Sequence, residues 1–235
     1  MKTILTAAAA FAFFQANAAA ADLYRDFADL KAHRIEGKDY SVTVVDRRAP
    51  VTVFAIHAGA IEPGTAEAAV ECAGNDWNLY VFRALGKNHS RELHVTAAHF
   101  DDPAAVALST SSITSIALHG RRDETGGACI GGSNAALRAG VAASLSEAGF
   151  RQEEPCARLP GATGKNIVNR GEYGGVQLEL SVDMARAMQE DPPRRKAFCS
   201  AIRKAVERWF ASGVKTPLSG SIPSVSSPAF SNMGR

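Results

Sequence analysis

Residues 51–65 read Val51-Thr-Val-Phe-Ala-Ile56-His57-Ala-Gly-Ala-Ile-Glu62-Pro-Gly-Thr65. A mostly apolar run that ends on a histidine suits a strand buried on both faces of a parallel sheet. Small residues after His57 permit a tight loop directly beyond the strand. A helix is expected to start at Thr65, with that residue as its cap. The loop between strand and helix therefore carries His57 at one end and Glu62 near the other.

The pattern recurs. Ile113–Leu118 is a second buried-strand run and also ends in a histidine, His119. Val176–Leu180 also reads as a strand, with Glu179 inside it. Ser41–Val45, Leu79–Leu85 and Leu93–Ala98 (followed by His99) have strand composition as well. Helical spacing of apolar residues marks Asp22–His33, Ala135–Ala148 and Arg194–Phe210, with Asn134 or Ser133 as a cap and Gly149 and Gly213 as stops. Alternating strands and helices of this kind predict a three-layer α/β domain on a mixed, mostly parallel central sheet.

The 235 residues are 46% apolar with a formal net charge of +2. Bulk charge gives no case for nucleic-acid binding, which rests on a basic patch or stripe. Beyond the N-terminus no apolar run nears the ~18–20 residues of a membrane span. Residues 1–20 have the order of a signal peptide: Lys2 as the positive region, Ile4–Phe14 as the apolar region, and Ala16-Asn17-Ala18 as the small-x-small cleavage site. The chain is expected to be exported, to a periplasm or beyond, with one globular domain at 21–213. Residues 214–235 turn rich in Ser, Pro and Gly and are expected to form a flexible tail.

Four cysteines, Cys72, Cys129, Cys156 and Cys199, form no C-x-x-C pair, which argues against a thiolate zinc site. An even count in an exported chain favours two disulfides, with three connectivities open.

Side chains at the carboxyl ends of neighbouring strands converge although they are distant in sequence. His57, Glu62, His119 and Glu179 are the residue types of a catalytic zinc site, which uses imidazoles and a carboxylate and keeps one position open. A histidine after a strand is more often just a hydrogen-bonded residue, so composition alone does not decide.

Five segments in order then resemble the phage-related poly-γ-glutamate hydrolases. His57–Glu67 resembles their HGGxIEPGTxE segment, and His99-Phe-Asp-Asp-Pro103 their THFDxP segment. Ser115–Gly120 resembles their strand ending in His-Gly. Asn166–Gly171 and Gly175–Ser181 resemble NIxNRG and GVQLELS. Ala58 replaces a glycine of the pattern, Ala98 a threonine, and the basic pair Arg121-Arg122 is additional. The resemblance implies a zinc-carboxypeptidase-like fold, one zinc ion on His57, Glu62 and His119, and Glu179 as general base. It implies hydrolysis of γ-glutamyl amide bonds in poly-γ-glutamate, a polyanionic peptide. Arg170, Asn169 and His99 are expected at the substrate, Arg170 as a bidentate grip on a carboxylate. Two other readings stay open: a zinc amidohydrolase of the same fold acting on peptidoglycan γ-D-glutamyl or N-acyl amino-acid substrates, and an exported binding module without catalysis.

Overall fold

The computed structural model describes residues 22–86 and 92–213. The expected leader at 1–20 and tail at 214–235 lie outside the described residues. In chain order, helix α1 (Phe27–His33) leads into strands β1 (Tyr40–Val45) and β2 (Val51–Gly59), helix α2 (Thr65–Ala73) and strand β3 (Asn78–Ala84). Helix α3 (Pro103–Ser111), strands β4 (Thr114–Gly120) and β5 (Gly127–Gly131), helix α4 (Ala135–Glu147) and strand β6 (Arg151–Glu153) follow. A 3-10 turn (Ile167–Asn169), strand β7 (Gly175–Leu180) and helices α5 (Val182–Glu190) and α6 (Pro192–Ala211) come last.

The strands form one sheet in the order β1-β3-β2-β4-β7-β5-β6. β3, β2, β4 and β7 run parallel, while β1 and β5 pair antiparallel with β3 and β7. The sheet is thus mixed and mostly parallel, as the apolar runs require. Its two faces carry separate cores. Val51, Val53, Ile116, Leu118, Val176 and Leu178 pack against α2, α4, α5 and α6. Phe54, Ile56, Tyr80, Phe82 and Ala117 pack against α1 and α3. Helices therefore cover both faces, giving three layers. Phe82 meets the rings of Phe27, Tyr40 and Phe100 at centroid distances of 5.6, 5.1 and 5.9 Å. Emptying such a site, as in Phe82→Ala, costs about 3–5 kcal/mol.

Several expectations need correction. Leu93–Ala98 is not a strand. Its backbone groups are committed elsewhere: Thr96 N–H donates to Asp22, Val95 C=O accepts from His57, and Ala97 C=O accepts from Ile167 N–H. Leu93 and Val95 are buried beneath this segment in the second core, which explains the strand-like composition. Helix α1 starts at Phe27 rather than Asp22, because Asp26 takes an extended conformation and caps the helix by accepting from Asp29 N–H. Thr65 is the first helical residue, and Gly64 is the cap position. α3, β5, β6 and α5 were not foreseen. β6 is three residues, Arg-Gln-Glu, with no apolar periodicity, whereas α3 announces itself by Asp102 as cap and Pro103 in the first turn.

Both cysteine pairs are disulfides: Cys72–Cys199 joins α2 to α6, and Cys129–Cys156 joins β5 to the segment after β6. No helix among the described residues is long and apolar enough to cross a membrane.

Candidate metal centre

His57 lies within β2, next to an irregularity in its pairing with β3 between Ala55 and Ala58. An extra residue in one strand of a pair reverses the side-chain alternation and re-aims a side chain. Ala58 consequently packs in the same core as Val53 and Ala55. The His57 ring is released toward the carboxyl end of the sheet, where Nε2 lies 2.9 Å from the Val95 carbonyl oxygen.

The loop after β2 folds back on this ring. Glu62 N–H donates to His57 C=O (2.8 Å), and the Thr65 hydroxyl donates to Glu62 C=O (2.8 Å). Gly64 turns the loop into α2 with φ +90°, and a Cβ there would lie 2.0 Å from the Ala185 carbonyl oxygen. Only glycine fits that turn and that approach. Across the sheet, Gly120 N–H donates to Glu62 Oε2 (2.9 Å), which fixes the carboxylate beside β4.

His119 lies near the end of β4, directly opposite Glu179 on β7. Its Nδ1 is 3.1 Å from His57 Nδ1 and 3.5 Å from Glu62 Oε2. Glu62 Oε1 is 3.1 Å from His57 Nδ1. One ligand atom from each of His57, Glu62 and His119 falls within 4.8 Å of the others, so these residues form a group able to hold a metal ion. The donor chemistry fits a cation. The Val95 carbonyl can only accept, so His57 Nε2 carries hydrogen, and Nδ1 is the nitrogen left to offer a lone pair to a metal ion. Gly120 holds the carboxylate in its charged form.

Electrostatics agree. Burial pushes the Glu62 carboxyl up, but the charge of His57, hydrogen bonds from His119 and His57, and the charge of His119 hold it well below the carboxylate range. Burial lowers the His119 pKa, but the Glu179 charge and the hydrogen bond and charge of Glu62 outweigh it and raise it to about 9. Glu179 is raised to about 7, by burial above all and then by the Glu62 charge, against the pull of His119, His57 and Arg121. Leu178 and Leu180 turn the other way into the core, so Glu179 faces the centre alone on its strand end.

A cavity of about 1290 Å³ opens over this group, lined by His57, Glu62, His119 and Glu179. Its far wall is the segment Arg158–Gly161, with Thr163 beyond. Arg121 and Arg158, also in its lining, both pair with Asp123 (3.2 and 2.6 Å). Arg122 and Arg186 also line the cavity, and their side chains have no hydrogen bond or ion pair among the described residues.

The expected substrate residues are placed differently from the metal group. Arg170 donates to the carbonyls of Lys165 and Phe100 and is not part of the cavity lining. Asn169 is committed to the backbone, accepting from Ser133 N–H and donating to Gly161 C=O and Thr163 C=O. His99 is exposed and does not line the cavity. His94, which no sequence context marks, does reach the group. Its ring stacks on His57 with centroids 4.0 Å apart, and its Nδ1 lies 2.6 Å from Asp22 Oδ1. No local spacing announces that contact, because Asp22 and His94 are far apart in the chain. Gln177, also missed, sits two residues before Glu179 on the same strand face, a relation that period-two reading could have found.

The profile of the poly-gamma-glutamate hydrolase family matches residues 24–201. Among curated relatives, UPF0714 protein YndL of Bacillus subtilis (strain 168) is 32% identical over 72% of this chain and 68% of its own length. SPbeta prophage-derived UPF0714 protein YoqZ of the same organism is 35% identical over 76% of this chain and 66% of its own. The chain thus spans about two thirds of the length of these relatives. The solved structure of a bacteriophage poly-gamma-glutamate hydrolase superposes with a TM-score of 0.77 at 28% identity, covering 82% of this chain and 100% of that one. A zinc-free apo form of YndL gives 0.74 at 27% identity, covering 81% and 100%.

Proposed function

This chain belongs to the poly-gamma-glutamate hydrolase family, and from that membership and the geometry of its site we propose that it is an exported zinc-dependent hydrolase cleaving γ-glutamyl amide bonds of poly-γ-glutamate. The observation that carries the reading is the convergence of His57, Glu62 and His119 beside a buried glutamate whose pKa is about 7.

His57, Glu62 and His119 would hold the ion. Zinc, when bound, supplies Lewis acidity to the amide carbonyl and to water. Glu179 takes a proton from the attacking water and returns it to the leaving amine; a pKa near neutrality suits both steps. Arg122 and Arg186 receive free α-carboxylates of the γ-linked chain, which a γ-glutamyl polymer carries at every residue. Two disulfides among four cysteines and the signal-like residues 1–20 support export.

The test is direct. Zinc-loaded protein is incubated with poly-γ-glutamate and, separately, with α-linked polyglutamate. Shortened chains and new amines from the first substrate alone are expected. Zinc-loaded protein that leaves poly-γ-glutamate intact would sink the reading.

A further inference from the structure

We infer that Gln177 is the positioning residue of the general base, a reading that rests on Glu179 as the proton acceptor. Both stand on β7, two residues apart, and so share one face of the sheet. Gln177 is 5% exposed. Its Nε2 donates to Glu179 Oε1 (2.9 Å) and to Leu159 C=O (3.3 Å), while its Oε1 accepts from Asn166 Nδ2 (2.8 Å). Asn166 is fixed in turn: Nδ2 also donates to Gly161 C=O (3.2 Å), and Oδ1 accepts from Val168 N–H (3.2 Å).

The direction of this chain is set by its ends. A carboxylate and a carbonyl only accept, and a backbone N–H only donates. Reversing either amide would set oxygen against oxygen. The polarity therefore runs one way, from Asn166 through Gln177 to Glu179, and each link strengthens the next in a dry environment. Oε1 of Glu179 is held as an acceptor, so the proton taken up in the reaction goes to Oε2. The same amide sets the cavity wall. A Cβ at Gly161 would lie 2.3 Å from Gln177 Cδ, so backbone and amide are in direct contact there. One side chain thus aligns the base and the wall that faces the substrate.

The experiment compares zinc-loaded wild type with Gln177→Met, which keeps length but loses the donor, and Gln177→Glu, which keeps shape. The expected result is a kcat about 10- to 100-fold lower in both, with KM within about twofold, since displaced groups lose orientation more than affinity. Zinc content stays near wild type, Tm falls modestly as buried hydrogen bonds are lost, and the carboxyl ¹³C resonance of Glu179 moves. A folded variant with wild-type kcat overturns the inference, as does a kcat loss matched by equal loss of zinc. Wild type inert toward poly-γ-glutamate defeats the substrate reading instead. The ¹³C comparison then still decides the positioning: an unmoved Glu179 resonance in Gln177→Met overturns it.

Discussion

His57 and His119, 62 residues apart in the chain, face each other Nδ1 to Nδ1 at 3.1 Å. Two bare ring nitrogens repel at that distance, so the arrangement calls for a positive charge between them. In the metal-free chain that charge is a proton on His119, whose pKa is raised to about 9. A metal ion at His57, Glu62 and His119 competes with that proton for the same lone pair.

Zinc affinity should therefore rise with pH, by about tenfold per unit, and level off above the His119 pKa. Calorimetry in buffers of different ionisation heat would detect one proton released per ion bound. Affinity independent of pH below about 9 would contradict the assignment.

The metal-free protein should lose stability as pH rises. His119 is raised from 6.5 to about 9, so its contribution is full below 6.5 and is lost as pH climbs through about 9. Glu179, raised from 4.5 to about 7, acts in the same sense: its contribution is present below 4.5 and lost through about 7. Glu62 is lowered and acts oppositely; its contribution is present above 4.5 and lost as pH falls through its folded value. Thermal unfolding in chelator should show Tm falling from about pH 5 to about pH 9, and the His119→Asn variant should flatten that slope.

Glu179→Gln should bind zinc and fold normally yet turn over about 10²- to 10⁴-fold more slowly, the usual worth of a general base. Metal analysis alongside kcat checks this. Wild-type turnover in the variant would remove Glu179 from the mechanism.

Arg122→Gln combined with Arg186→Gln should raise KM for poly-γ-glutamate several-fold and flatten its salt dependence, with kcat little changed. The same change at Arg158, already paired with Asp123, should do less. KM values across a salt series would separate the two cases.

The two disulfides should differ in effect. Cys72–Cys199 closes a separation of 127 residues and Cys129–Cys156 one of 27. Loop-closure entropy gives about 5 and about 3.5 kcal/mol respectively. Cys72→Ala with Cys199→Ala should lower Tm more. Cys129→Ala with Cys156→Ala should raise KM more, because Cys156 anchors the chain that leads into the cavity wall at Arg158–Gly161.

Mostly apolar runs at Val51 and Ile113 were sufficient to foresee buried parallel strands, since a strand covered on both faces favours apolar residues at nearly every position; Val176–Leu180 read as a strand despite Gln177 and Glu179. Two runs ending in histidine, with Glu62 in an adjoining loop, offered the residue types of a zinc site, and the resemblance of five ordered segments implied which of them form the metal group. Leu93–Ala98 misled because burial, not strand pairing, explains its composition. His94 left no local trace, since it reaches His57 from a distant loop; period two puts Gln177 on the face of Glu179, but its partners at Leu159 and Asn166 are set only by the fold. Contacts of that kind depend on where loops cross the sheet. Periodicity reports which face of an element is buried; it carries no record of which distant carbonyl or ring a polar side chain will meet once the faces have closed.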